Sequence, residues 1–171
     1  MFSLPDSLDL TGRVAIVTGA GCPNGIGYKS AISLGELGAS LFITSTTDRI
    51  LSRSDELVSM GIKCVGYIAE DLSDQQICQK TVEMAIKEYG RIDILVNNAG
   101  MINMAYKEEG SLIANANSGN VLDISLKDWH SSHFMNLDTT FLMTKFCISS
   151  MIQNNWGRII NISSTSIYYY Y

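Results

Sequence analysis

The sequence predicts an α/β fold in a single domain over residues 1–171, with a parallel sheet covered by helices on both faces. Three observations carry this. Short β-branched runs alternate with longer helical patterns along the chain, as successive βαβ units require. The strands are unbroken apolar runs, such as Val14-Ala15-Ile16-Val17 and Ile94-Leu95-Val96, and not alternating ones, which marks strands buried on both faces. The composition, 46% hydrophobic and 17% charged over 171 residues, suits a chain that buries a substantial core.

In order, residues 13–18 form the first strand and 25–37 the first helix, ending near Gly38. Residues 40–44 are the second strand, and 48–60 a helix capped at its start by Asp48 and at its end by Gly61. Residues 62–68 are the third strand, followed by a helix over 73–89 with Ser73 as N-cap and Gly90 past its end. Residues 92–97 are the fourth strand. One long helix covers 126–154, with Ser125 or Asp123 near its start and Gly157 beyond it, and 158–163 are the fifth strand. Residues 101–121 break the rhythm: polar, rich in Asn, Ser, Gly and Glu, and without a sustained period. So long a loop after the carboxyl end of a strand is expected to be a substrate-side flap or a disordered insertion.

Composition narrows the function. The net charge is −5 with no basic run, which disfavours a nucleic-acid partner. Cys22, Cys64, Cys78 and Cys147 are scattered without metal-ligand spacing, and are expected to be reduced, partly buried thiols of a cytoplasmic protein. His130 and His133 lack Cys or carboxylate partners at ligand spacing, so no metal site is expected. Residues 1–10 are not expected to form a signal peptide, and no apolar run reaches the length of a membrane span.

The chemistry-bearing stretch is Thr18-Gly19-Ala20-Gly21-Cys22-Pro23-Asn24-Gly25-Ile26-Gly27, between the first strand and the first helix. A glycine turn that delivers a helix N-terminus makes an anion site, because the first amide N–H groups of a helix lack partners within it. The spacing departs from GxGxxG, since Asn24 stands at the sixth position and Gly25 and Gly27 follow. Alone, such a turn can equally be one that needs positive φ. Three further stretches sit where such a site needs them: Asn97-Asn98-Ala99-Gly100 at the end of the fourth strand, Asn136 in the long helix, and Asn161-Ile162-Ser163-Ser164 at the tip of the fifth.

These motifs, with Asp71-Leu72 and Gly157-Arg158-Ile159-Ile160, occur in one order along essentially the whole chain. In that set the sequence resembles the short-chain dehydrogenase/reductase family in its ordinary single-domain branch. The resemblance implies a doubly wound Rossmann-type sheet with strand order 3-2-1-4-5 and hydride transfer between a nicotinamide cofactor and a small carbonyl or alcohol substrate. It places Gly19, Gly25, Ile26 and Gly27 on the pyrophosphate, Asp71 with Leu72 at the adenine, and Asn98, Ala99 and Gly100 along the cofactor. It gives Ser164 the role of orienting the substrate carbonyl, and Asn136 that of holding a water in the proton relay. The plainer readings are an Asp71 that N-caps a helix, an Asn136 facing solvent and a Ser164 that ends a strand.

Two departures stand out. The glycine turn is about two residues longer than is usual in the family, with Pro23 and Asn24 expected to bulge outward. Family members also carry a Tyr-x-x-x-Lys after the serine, the Tyr as general acid or base and the Lys lowering its pKa. No such pair follows Ser164 within the 171 residues, so the resemblance implies a C-terminally truncated member, catalytically impaired and lacking the later strands. The run Tyr168-Tyr169-Tyr170-Tyr171 is too close to Ser164 to substitute, and is expected to pack as an apolar end or fray. The fifth strand would then be an exposed sheet edge, and the apolar surface of the 126–154 helix a candidate homo-oligomer interface.

Cofactor choice turns on the end of the second strand, where NAD-preferring folds place a carboxylate. Ser45 stands at that position, followed by Thr46, with Arg49 or Arg53 near. Hydroxyls and a guanidinium suit a 2′-phosphate, which points to NADP, with NAD as the alternative. A non-catalytic dinucleotide-binding or interaction module is the competing function. Substrate identity would be set by residues 101–121 and by parts of the fold beyond this chain.

Overall fold

The computed structural model describes residues 8–100, 122 and 125–164. The expectations for the 101–121 loop and for Tyr168–Tyr171 lie outside the described residues. Five parallel strands, β1 (Val14–Val17), β2 (Ser40–Ser45), β3 (Cys64–Ile68), β4 (Ile94–Asn97) and β5 (Arg158–Asn161), form one sheet in the order β3-β2-β1-β4-β5. The expected strand order 3-2-1-4-5 is the observed one.

The unbroken apolar runs follow from the pleat. Successive side chains of a strand point to opposite faces, so each strand here feeds two cores. Ala15, Val17, Leu41, Ile43, Ile94 and Val96 pack with residues of helices α1 (Ile26–Glu36) and α2 (Arg49–Ser59). Ile16, Phe42 and Leu95, one step along, pack on the other face with α3 (Gln75–Tyr89) and the helix over Thr139–Gln153.

The helix boundaries required three corrections. Asp48 stands at the N-cap of α2 but in helical conformation, and its side chain makes no capping bond. Asp74, not Ser73, caps α3, its carboxylate accepting from the N–H groups of Gln76 and Ile77. Ser73 is instead held by Asp71. The long helix is in three parts: α4 (Leu126–His133), a π-helical turn (Phe134–Asp138) and α5 (Thr139–Gln153). Around that turn, Asn136 Nδ2 donates to the Ser132 carbonyl at 2.9 Å and Thr140 Oγ1 to the Asn136 carbonyl at 2.9 Å. Side chains that compete for main-chain carbonyls loosen a helical ladder. With no Gly or Pro in the segment, hydrophobic periodicity could not reveal the widening. Ser125 caps α4 as expected, accepting from the N–H of Asp128.

The amino edge of the sheet is closed by a fully buried carboxylate. Asp93 accepts from the N–H of Val14 at 3.0 Å and pairs with Arg13 at 3.2 Å and Arg91 at 2.6 Å. The Arg13 guanidinium lies 4.2 Å from the Trp156 ring centre, with Arg158 on the same ring at 4.7 Å. Among the described residues β5 is an edge strand with all four residues exposed, and Ile159 and Ile160 are 37% and 42% accessible. Among the described residues no helix is long and apolar enough to cross a membrane.

Candidate functional site

The site begins at Thr18, the first residue past β1. Its hydroxyl donates to the Val96 carbonyl at 3.2 Å and accepts from the N–H groups of Asn98 at 3.0 Å and Ala99 at 2.9 Å. The Asn98 amide donates in turn to the carbonyls of Thr18 at 2.9 Å and Gly19 at 3.0 Å. The glycine turn is thereby stitched to the end of β4. Two of its glycines are required for this approach. A Cβ on Gly19, which has φ +70°, would lie 2.9 Å from Ala99 Cα. A Cβ on Gly27 would occupy the place of the Asn98 amide and come 2.9 Å from the Gly19 carbonyl.

The two additional residues of the turn, Pro23 and Asn24, are exposed on a loop closed by the Gly25 N–H to Cys22 carbonyl bond of 3.0 Å. Gly25 is the N-cap of α1 and brings no capping side chain. The amide groups of the first turn of α1 thus keep their capacity for an anion.

A cleft of about 620 Å³ opens along the carboxyl ends of β1, β2, β3 and β4. Seven of the expected cofactor residues line it: Gly19, Ser45, Thr46, Asp71, Leu72, Ala99 and Gly100. Gly25, Ile26 and Gly27 are not in its lining and sit instead at the start of α1, with Ile26 61% exposed. Asn98, expected along the cofactor, turns its side chain into the clamp on the glycine turn. Asn136 reaches the rim, since a Cβ on Gly100 would lie 2.6 Å from Asn136 Oδ1. Ser164 lies exposed beyond β5, outside the cleft lining. Its strand is tied in by Asn97, whose amide donates to Asn161 Oδ1 at 2.9 Å and Thr144 Oγ1 at 3.2 Å.

The polar ends of β2 and β3 are already organised. Ser45 Oγ donates to the Thr47 carbonyl at 2.8 Å, and a Cβ on Gly21 would lie 2.9 Å from Ser45 Cβ, so this side chain stands against the glycine turn. Of the two arginines considered for a 2′-phosphate, only Arg49 lines the cleft, its Nε donating to Thr47 Oγ1 at 3.0 Å. Arg53 faces away, paired with Glu56 and 5.5 Å from the Tyr28 ring centre. Asp71 Oδ1 accepts from the Ser73 N–H at 2.8 Å and the Ser73 hydroxyl at 2.7 Å, which shapes the turn before α3. Among the described residues no group of three His, Cys, Asp or Glu is placed to hold a metal.

Sequence reasoning missed Cys22, Thr44, Glu70, Met135 and Thr139, all of which line the cleft. Thr44 carried a signal: it is a hydroxyl in the otherwise apolar run Leu41–Ile43, and such a group is placed in a buried strand for a partner. Met135 carried none, because the π-helical turn that presents it was itself unreadable.

A doubly wound parallel sheet with a glycine-built cleft at its carboxyl edge, beside the point where strand order reverses, defines a Rossmann-type nucleotide-binding domain. The profile of short chain dehydrogenases matches residues 13–170, and the chain belongs to that family. It is 35% identical over 159 residues to the 3-oxoacyl-(acyl-carrier-protein) reductase FabG of Aquifex aeolicus, an alignment covering 92% of this chain and 57% of that one. A metagenomic short-chain oxidoreductase solved in complex with NADP superposes with a TM-score of 0.76 at 30% identity, covering 91% of this chain and 63% of the other. A 7α-hydroxysteroid dehydrogenase solved with NADH and 7-oxo glycochenodeoxycholic acid does so with a TM-score of 0.82 at 27% identity, covering 100% and 60%. The chain thus spans little more than half the length of the curated relatives it matches.

Proposed function

We propose that these residues form the cofactor-binding half of an NADP-linked oxidoreductase acting on a small carbonyl or alcohol. The observation that carries the reading is the end of β2: Ser45, Thr46 and Arg49 line the cleft beside the glycine turn, with no carboxylate from that strand end. A guanidinium with two hydroxyls matches a phosphate monoester better than a free ribose diol. The residues fit the group on two further counts. Side chains at Gly19 and Gly27 would break the packing of the glycine turn against the end of β4, and Thr44 carries a buried hydroxyl with no partner among the described residues.

The nicotinamide, when bound, supplies or accepts the hydride. The chain's own groups bind and orient: α1 presents its N-terminal amides to the diphosphate, and Asp71 accepts from the adenine amine. Asn136 holds a relay water at the rim beside Gly100, and Ser164 donates to the substrate oxygen. The second reading is a dinucleotide-binding module without turnover, since the residues here span little more than half the length of the curated relatives they match. Exposed Trp129, Phe141 and Ile152 on α4 and α5 further suit pairing of two copies along these helices.

Calorimetric titration with NADPH and NADH tests the first reading, and NADPH oxidation with simple ketones and aldehydes tests the second. Binding that favours NADPH, without turnover, is the expected result. A preference for NADH would sink the NADP assignment, and turnover abolished by Ser164→Ala would sink the silent module.

A further inference from the structure

We propose that Cys22 is a thiol-exchange site in the cleft for small anionic disulfides, and that the group it acquires excludes the dinucleotide. The second half rests on the cofactor reading above. Cys22 is the exposed cysteine, whereas Cys64, Cys78 and Cys147 are buried. Burial pushes the Cys64 thiol up to about 11 and those of Cys78 and Cys147 up to about 12, so these three are shielded and protonated at neutral pH.

Cys22 lines the cleft with Gly19, Ser45 and Arg49. A Cβ on Gly25 would lie 3.1 Å from Cys22 Cβ and 3.8 Å from its Sγ, so the thiol rests against the N-cap of α1. Anions are favoured at a helix N-terminus, and Arg49, which lines the cleft together with Cys22, adds a cation. An independent feature shows that the cleft is built for a ligand. Thr44 is fully buried and lines it, and its hydroxyl has no hydrogen-bond partner among the described residues. Buried hydroxyls are normally satisfied, so this one points to a group that enters from outside the chain.

The chemistry needs only the disulfide itself. The Cys22 thiolate attacks one sulfur, the S–S bond of the disulfide breaks, and a new S–S bond joins Cys22 to that half. The other half leaves as a thiolate and takes up the proton that Cys22 released. A peptide-sized acid on Cys22, such as a glutathionyl group, then stands against the start of α1, in the volume the pyrophosphate needs.

The full chain, reduced and then treated with oxidised glutathione, provides the test, read by intact mass, peptide mapping and NADPH titration. Uptake of one glutathione on Cys22 is expected, slowed by NADPH and absent in Cys22→Ser. The modified chain should lose NADPH binding, and a reductant should restore it. Uptake at Cys64, Cys78 or Cys147 in preference to Cys22 overturns the exchange site. Complete modification of Cys22 with undiminished NADPH binding overturns the exclusion and leaves the cofactor reading standing. A reduced chain that binds neither NADPH nor NADH removes the cofactor reading, and the exclusion falls with it.

Discussion

The two edges of the sheet use polar groups in opposite ways. At the amino edge Asp93 is fully buried and satisfied by the chain itself, through the Val14 N–H, Arg13 and Arg91, and nothing is left over for a ligand. At the carboxyl edge the groups are only partly spent. Thr18 and Asn98 consume their hydrogen bonds in stitching the glycine turn to β4, while Thr44 and Arg49 line the cleft and the first amides of α1 keep their capacity outside that lining. The same fold therefore places stability at one edge and binding at the other. Mutations at the two edges should separate these properties.

The largest effect on stability is expected from Asp93→Asn. It removes the charge that two arginines and a main-chain N–H were arranged around, and breaking a buried pair costs about 3 kcal/mol when the partners retain some solvent contact. Urea denaturation reads this directly, and dinucleotide affinity per folded molecule should not change. Asp93 also sets an acid limit. Burial alone would raise its pKa, but the hydrogen bonds from Arg91, Val14 and Arg13 and the charge of Arg91 outweigh it and hold the carboxyl below its usual range. A depressed folded pKa contributes stability that is present above the unfolded value of about 3.9 and is lost as pH falls through the folded value. The loss of stability on acidification should therefore be shallower in Asp93→Asn than in the native chain, and equal slopes would contradict this account.

At the carboxyl edge, Gly27→Ala and Thr18→Val should damage binding and stability together. The alanine methyl would displace the Asn98 amide, an overpacking that costs about 2 kcal/mol and unseats the turn. Valine at position 18 leaves the Asn98 and Ala99 N–H groups without their acceptor, at about 1–2 kcal/mol. In both variants NADPH affinity should fall by more than the change in folded fraction explains. Unaltered affinity in Gly27→Ala would show that the turn does not shape the site.

These edges differed in how well the sequence revealed them. The sheet order, the glycine turn and most of the cleft lining were legible, because buried parallel strands need unbroken apolar runs and a close backbone approach needs glycine. Asn98 was legible by position but not in the direction of its amide, since a motif says where a side chain stands and not which way its amide turns. The Asp93 cluster was invisible: Arg91 and Asp93 sit two apart, but Arg13, just before β1, is 80 residues away in sequence, and nothing in periodicity pairs them. The π-helical turn that brings Asn136 to Gly100 was likewise hidden, because it depends on side-chain competition for carbonyls and not on hydrophobic spacing.

The smallest expected change sharpens the comparison most. Arg49 is exposed, and its one hydrogen bond among the described residues, to Thr47 Oγ1, is local, so Arg49→Ala should shift stability by no more than about 0.5 kcal/mol. A charge-assisted hydrogen bond to a 2′-phosphate is worth about 1.5–3 kcal/mol, which converts to a loss of roughly tenfold or more in NADPH affinity. NADH lacks that phosphate and should bind the variant as it binds the native chain. The ratio of the two affinities, measured in the same buffer at fixed ionic strength, isolates the guanidinium from every contact the two cofactors share. Equal losses for NADPH and NADH would mean that Arg49 acts on the common part of the dinucleotide, and that the end of β2 does not select the phosphate.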